Sequence, residues 1–152
     1  MDLPQPLVLD ADGINALAGH MDEWERRRGR VTVLTPHEGE FLRVGGDLSQ
    51  GRTAAAEDFA RRSGAVVAGP DGRCRVNTTG NCGMAKGGSG DVLSGVVLAL
   101  LGLGMDAFDA CCCAVWLHGR AGDLAAQEKG QWGMTPTDLL ERLPQALREV
   151  TE

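Results

Sequence analysis

The run from Asn77 to Gly95, Asn-Thr-Thr-Gly-Asn-Cys-Gly-Met-Ala-Lys-Gly-Gly-Ser-Gly-Asp-Val-Leu-Ser-Gly, constrains this chain more than any other stretch. Gly87, Gly88 and Gly90 allow positive φ and a close approach of backbone to ligand, and the apolar run from Val92 to Leu101 continues as a helix. The unpaired N–H groups of that helix's first turn, with the helix dipole behind them, favour phosphate or a developing negative charge. Asp91 stands beside them and can take a proton from a hydroxyl. The residues alone admit plainer readings too: a loop that only needs conformational freedom, and an acid that only caps a helix. No Gly-Lys-Ser or Gly-Lys-Thr closes the run, so it is not a Walker A loop, and the third glycine of a dinucleotide fingerprint is missing. The pattern gives an anion hole with a candidate base and leaves the substrate open.

A chain of 152 residues with 43% hydrophobic content is expected to form one domain, 1–152, with a real core. Its formal net charge of -6 argues against a nucleic-acid partner. Arg26, Arg27, Arg28 and Arg30 make the only basic cluster, and with Glu23 and Glu25 just before them they read as a solvated surface segment. No leader is recognisable, and no apolar run, 96–101 among them, approaches the length of a membrane span. Cys111, Cys112 and Cys113 are adjacent on an expected helix and fan out by about 100° each. Without a Cys-x-x-Cys spacing a zinc site is not expected, and reduced thiols in a cytoplasmic protein are.

Strands and helices alternate along the sequence. Short apolar strands are expected at 7–9, 31–34 and 65–68, and helices at 12–18, from Thr35-Pro36 onward, and from a cap at Asp47 or Ser49 to about Arg62, with Ala56, Phe59 and Ala60 on its apolar face. Gly69-Pro70-Asp71-Gly72 reads as a turn that returns 74–77 as the second strand of a hairpin. Three helices follow, at 90–101, 106–128 and 135–149, the last opened by Thr135-Pro136-Thr137-Asp138 and striped by Leu139, Leu143 and Leu147. The alternation implies an α/β fold, a largely parallel sheet with helices on both faces, and ligands outside the carboxyl ends of its strands. Asp10 and Asp12, His37 and Glu40, and the Gly87 to Asp91 loop all fall at such ends.

Three blocks carry a resemblance: Val8-Leu9-Asp10-Ala11-Asp12-Gly13-Ile14-Asn15, Leu34-Thr35-Pro36-His37-Glu38-Gly39-Glu40, and Asn77 to Gly95, with further similarity in Leu117-His118-Gly119-Arg120-Ala121-Gly122-Asp123. In these the chain resembles the carboxyl-terminal part of the ADP/ATP-dependent NAD(P)H-hydrate dehydratases, members of the ribokinase-like superfamily. The resemblance implies a ribokinase-like layered sandwich, incomplete at its N-terminal side. It also implies repair of hydrated NADH or NADPH: the hydroxyl left by hydration is phosphorylated from ADP or ATP with Mg2+, and loss of phosphate restores the cofactor. Asp91 would be the general base. Gly88, Ser89 and Gly90 would offer N–H groups to the transferring phosphoryl, and Gly90 would also touch the nucleotide. Asp91 and His37 would contact the hydrated cofactor, and Glu40 would orient magnesium through water.

Taken as residues alone, His37 reads as a helix cap, Glu40 as a first-turn acid, and Asp10 and Asp12 as holding the strand-to-helix turn through backbone N–H groups. His118 reads as packed, Gly119 and Gly122 as permitting close helix packing, and Cys111 to Cys113 as small core residues. Two departures from the family pattern bear on function. The family's opening strands precede the Asp10 block, and a Lys-Gly turn with another strand normally precedes the Pro-Asp-Gly turn to help bind nucleotide. A half sheet leaves an unpaired edge, so association with partner chains, as a homo-oligomer, is expected. The alternatives are a ribokinase-like kinase of a vitamin-precursor alcohol and a noncatalytic nucleotide-binding fragment.

Overall fold

The computed structural model describes residues 2–63 and 72–151, so the expected strand at 65–68 and the first three residues of the Gly69 turn lie outside the described residues. The chain divides into two compact units, one comprising 1–75 with 106–108 and the other 76–105 with 109–152.

In the first unit, β1 (Leu7–Leu9) and β2 (Thr32–Leu34) pair in parallel, Leu7 opposite Thr32 and Leu9 opposite Leu34. Between them lie α1 (Ala11–Asn15) and α2 (Met21–Arg26), and α3 (Glu38–Arg43) and α4 (Arg52–Ser63) follow. Parallel strands need such a crossover, and with their carboxyl ends on one side the pairing brings Asp10 and Thr35 to the same edge. Thr35 closes that edge, its N–H donating to the Leu9 carbonyl at 3.2 Å. Ile14, Trp24, Leu34, Phe41, Val44, Ala55 and Phe59 form the core, with Phe59 in edge contact with Trp24 at 6.4 Å and tilted against Phe41 at 5.3 Å.

Several details depart from the sequence reading. The turn into α1 is held by main chain, Gly13 N–H to the Asp10 carbonyl at 2.9 Å, and the Asp10 carboxylate makes no cap bond to the helix. Ala11 takes φ 44, a left-handed value that costs an L-residue about 1–2 kcal/mol. α2 was not foreseen in the arginine cluster, and Arg27 is 2% exposed, so the cluster is not wholly a solvated surface. Its guanidinium donates to the Leu3, Gln5 and Val31 carbonyls and to Thr32 Oγ1, stapling the chain's start to β2. Burial, and then the charge of Arg30, lower its pKa. Asp47 folds back on Ser49 rather than capping α4, which starts after Gly51 at φ 88.

In the second unit a 3-10 turn (Cys82–Met84) leads to α5 (Ser89–Gly102), α6 (Ala107–Gly133) and α7 (Pro136–Thr151). Residues 74–77 are in no strand among the described residues, and their expected hairpin partner, 65–68, lies outside them; the Asn77 side chain bonds Thr79, accepting from its N–H and donating to its carbonyl. α6 is interrupted at Gly130, φ 71 and ψ 155. The foreseen box opens α7: Thr135 N–H and Oγ1 each donate to Asp138 at 2.8 Å. Its stripe differs, with Leu139 and Ala146 buried, Leu143 packed beside them and Leu147 47% exposed. At 3.6 residues per turn, seven positions nearly complete two turns while eight overshoot by about 80°, so 146 returns to the core line and 147 leaves it. Leu117, Ala121 and Leu124 of α6 complete this core, with Met84, Val92, Val96, Cys113 and Trp116 around it.

Candidate functional site

The Gly-rich segment is fixed along α6 before it turns into α5. Asp123 accepts from Gly80 N–H and from the Asn81 side-chain amide, both at 3.0 Å, and Asn81 in turn accepts from Gly83 N–H at 2.9 Å. Thr79 Oγ1 lies 3.1 Å from the Trp116 carbonyl. Gly119 and Gly122 make room for chain rather than for a helix: a Cβ on Gly119 would stand 2.2 Å from Thr79 Oγ1, and one on Gly122 2.4 Å from Met84 Sδ. Lys86 anchors the far end, donating to the Gln131 carbonyl at 3.4 Å, the Trp132 carbonyl at 3.0 Å and the Met134 carbonyl.

Beyond Lys86 the loop is open. Gly88 takes φ 98 as the N-cap of α5, whereas Gly87 and Gly90 do not adopt positive φ, Gly90 being already helical. Of the three amides expected to hold phosphate, that of Ser89 is spent, donating to the Lys86 carbonyl at 3.2 Å. The Gly88 and Gly90 amides donate to no protein acceptor among the described residues, and neither do those of Gly87 and Asp91. Asp91, in the first turn of α5, is exposed, so its carboxylate does not point into packed interior. Oriented donors beside an exposed carboxylate can hold an anionic group while removing a proton from its acceptor.

His118 was read as packed, and it is buried, but its ring does more. Nε2 lies 2.9 Å from the Ser89 carbonyl oxygen, which can only accept, so Nε2 carries the proton. Burial pushes its pKa down and the bond to Ser89 partly opposes this, leaving a neutral imidazole.

In the first unit His37 and Glu40 are engaged with each other. His37 Nδ1 accepts from Gly39 N–H at 3.0 Å and Glu40 N–H at 3.3 Å, and Glu40 Oε2 accepts from His37 N–H at 3.0 Å, a reciprocal capping box on α3. His37 Nε2 reaches Glu40 Oε1 at 3.2 Å. Both carboxylate oxygens thus face His37, which does not suit Glu40 as a direct metal ligand. Among the described residues no three His, Cys, Asp or Glu side chains converge as a metal cage. The same unit holds a cavity of about 160 Å³ lined by Pro36, Phe41, Leu48 and Ala56, with the Glu38–Arg52 ion pair at its wall. Lys86, Asp123 and Asn81 were missed by sequence reasoning. The Leu117 to Asp123 similarity was the available signal for Asp123, and nothing in the sequence marked Lys86.

The model of the family described as NAD(P)H-hydrate dehydratase matches residues 2–145. A bifunctional NAD(P)H-hydrate repair enzyme Nnr of Thermofilum pendens is 43% identical over 161 aligned positions, covering 97% of this chain and 30% of the relative. That alignment is longer than the 152 residues present, so the relative holds residues this chain lacks. The ADP-dependent (S)-NAD(P)H-hydrate dehydratase of Neisseria meningitidis serogroup B is 38% identical over 140 positions, 83% of this chain and 47% of its own length. Among solved structures, the ADP/ATP-dependent NAD(P)H-hydrate dehydratase of Bacillus subtilis co-crystallised with ATP/Mg2+ matches at TM-score 0.76 and 30% identity, over 95% of this chain and 55% of that one. The chain thus spans about a third to a half of the length of such relatives. With three blocks, an α/β pattern and a family model over 2–145 in agreement, the chain belongs to the NAD(P)H-hydrate dehydratase family, of carbohydrate-kinase-like fold.

Proposed function

We propose that this chain takes part in the ADP- or ATP-dependent dehydration of hydrated NADH or NADPH. The observation that carries the reading is the pair of open amides at Gly88 and Gly90 beside the exposed carboxylate of Asp91. Asp91 removes the hydroxyl proton, and the hydroxyl oxygen bonds to the terminal phosphorus of the nucleotide as the bond to the nucleotide's bridging oxygen breaks. The amides of Gly88 and Gly90 hold the charge on the transferring phosphoryl, and Gly90 also touches the nucleotide. Loss of phosphate from the ring carbon, with loss of a proton from its neighbour, then restores the double bond of the reduced cofactor. General base and amide donors of this kind contribute about 10²–10⁴-fold and about 10²–10³-fold to rate.

Ser89 belongs to this site through its carbonyl and not through its N–H. His37 contacts the hydrated cofactor with a ring its capping box already orients. Glu40 is the residue that would orient magnesium, through water, were the ion bound with the nucleotide. The relatives' printed names support substrate and donor: NAD(P)H-hydrate repair, ADP dependence, and co-crystallisation with ATP/Mg2+. The single domain 1–152 is proposed to act in the cytoplasm, self-associated and without nucleic acid. Five cysteines with no disulfide among them fit that setting, and no helix among the described residues is long and apolar enough to cross a membrane.

The test is incubation with hydrated NADH, ADP and magnesium while NADH absorbance is followed. Return of NADH is the expected result. A phosphorylated product that does not eliminate would make the chain a ribokinase-like kinase of an alcohol, and nucleotide binding without turnover would make it a noncatalytic fragment.

A further inference from the structure

The carbonyl of Ser89 and the N–H of Gly90 belong to one planar peptide and point in opposite directions. The first is bonded by His118 Nε2 at 2.9 Å, and the second is one of the open donors of the loop. Whatever grips the carbonyl therefore sets the direction of the donor. The Ser89 oxygen begins the hydrogen-bond ladder of α5 and is served by the helix itself, so the imidazole bond is additional to what helix formation requires. Ser89 and His118 are 7% and 9% exposed, which shields their bond from water, and a carbonyl that accepts a second bond polarises its peptide and strengthens the attached N–H as a donor. The ring sits next to Gly119, whose missing side chain lets the Thr79 segment lie against α6, so one turn of α6 fixes both the approach to the loop and its exit.

We propose that His118 is a positioning residue of the phosphoryl site, holding the Ser89–Gly90 peptide so that the Gly90 N–H faces the anion. The inference rests on the reading of the Gly87 to Asp91 loop given above. It makes His118 part of the anion site without contact to substrate. Burial keeps the imidazole neutral, so its contribution comes through the peptide dipole and not through a charge of its own.

The test uses the 152-residue chain labelled with nitrogen-15 and titrated with inorganic phosphate, independent of turnover. Phosphate is expected to move the amide resonances of Gly88, Gly90 and Asp91 and, through the shared peptide, the Nε2–H resonance of His118. His118→Leu is expected to bind phosphate about tenfold more weakly, the size of one net hydrogen bond, with its spectrum elsewhere unchanged. His118→Gln, which keeps an uncharged N–H donor, is expected to recover affinity to within about threefold of the parent. If the loop amides move while His118 does not, or His118→Leu binds like the parent, the role of His118 is overturned and the loop reading stands. If no loop amide of the parent chain responds, both fall. Should His118→Leu not fold, the response of His118 in the parent chain decides alone.

Discussion

Gly119→Ala tests whether α6 holds the Gly-rich segment as tightly as its contacts indicate. The added Cβ would stand 2.2 Å from Thr79 Oγ1, 2.7 Å from its carbonyl carbon and 2.8 Å from its carbonyl oxygen. Two of these neighbours are backbone and cannot rotate away, so the segment must move. Overpacking of this kind costs about 1–3 kcal/mol. The displacement also strains Thr79 Oγ1 on Trp116 and the Asn77 amide on Thr79, each worth about 0.5–1.5 kcal/mol. Against this, alanine in a helix interior gains about 1 kcal/mol over glycine. The net expectation is a loss of about 1–5 kcal/mol, read as a lower urea midpoint and a melting temperature lower by roughly 2–20 °C. Gly95→Ala is the control, since Gly95 lies within α5 with nothing within 4 Å of an added Cβ, and it should gain about 0.5–1 kcal/mol. A Gly119→Ala chain as stable as Gly95→Ala would refute the packing argument.

Asp91→Asn should lower NADH return by about 10²–10⁴-fold while leaving the melting temperature near that of the parent, because the side chain is exposed; a rate near the parent's would remove Asp91 as base. Hydrogen bonds from Lys129, then from Thr135, hold the Asp138 carboxyl at about 2 against an ordinary 3.8. A depressed carboxyl stabilises the fold above its unfolded pKa and ceases to do so as pH falls through the folded one. The urea midpoints of the parent and Asp138→Asn should therefore differ by a constant amount near neutrality and converge between about pH 4 and pH 2; a gap that widens on acidification would reverse the sign. Lys86→Met removes the ammonium from three carbonyls after Gly130, so amide exchange at Met134, which donates to Gly130 O at 3.1 Å, should quicken about fivefold, as for roughly 1 kcal/mol. Unchanged exchange there would make the Lys86 contacts incidental.

Much of this was legible because it follows from local chemistry. Apolar runs at 7–9 and 31–34 with helical patterns after each gave the parallel pair, and Thr135 and Asp138 announced their own cap. Leu147 misled because a four-residue step drifts off a helix face, and only the neighbours' positions decide where the core line ends. Arg27 and α2 were hidden because a charged cluster reads as solvent-facing until carbonyls from distant chain converge on one guanidinium. Of the amides expected to hold phosphate, that of Ser89 is closed by a carbonyl three residues back. That contact depends on how the loop turns at Gly88, which composition does not encode. His118 reads as one more core residue until its ring is seen against a particular carbonyl.

The central claim is that the open amides of Gly88 and Gly90 receive the transferring phosphoryl next to Asp91. A crystal structure of this chain with ADP and magnesium tests it most directly. The account predicts terminal phosphoryl oxygens about 2.7–3.1 Å from the Gly88 and Gly90 nitrogens, with Asp91 facing the same phosphorus. Nucleotide bound with its phosphates away from this loop, or with both amides turned onto protein carbonyls, would contradict it.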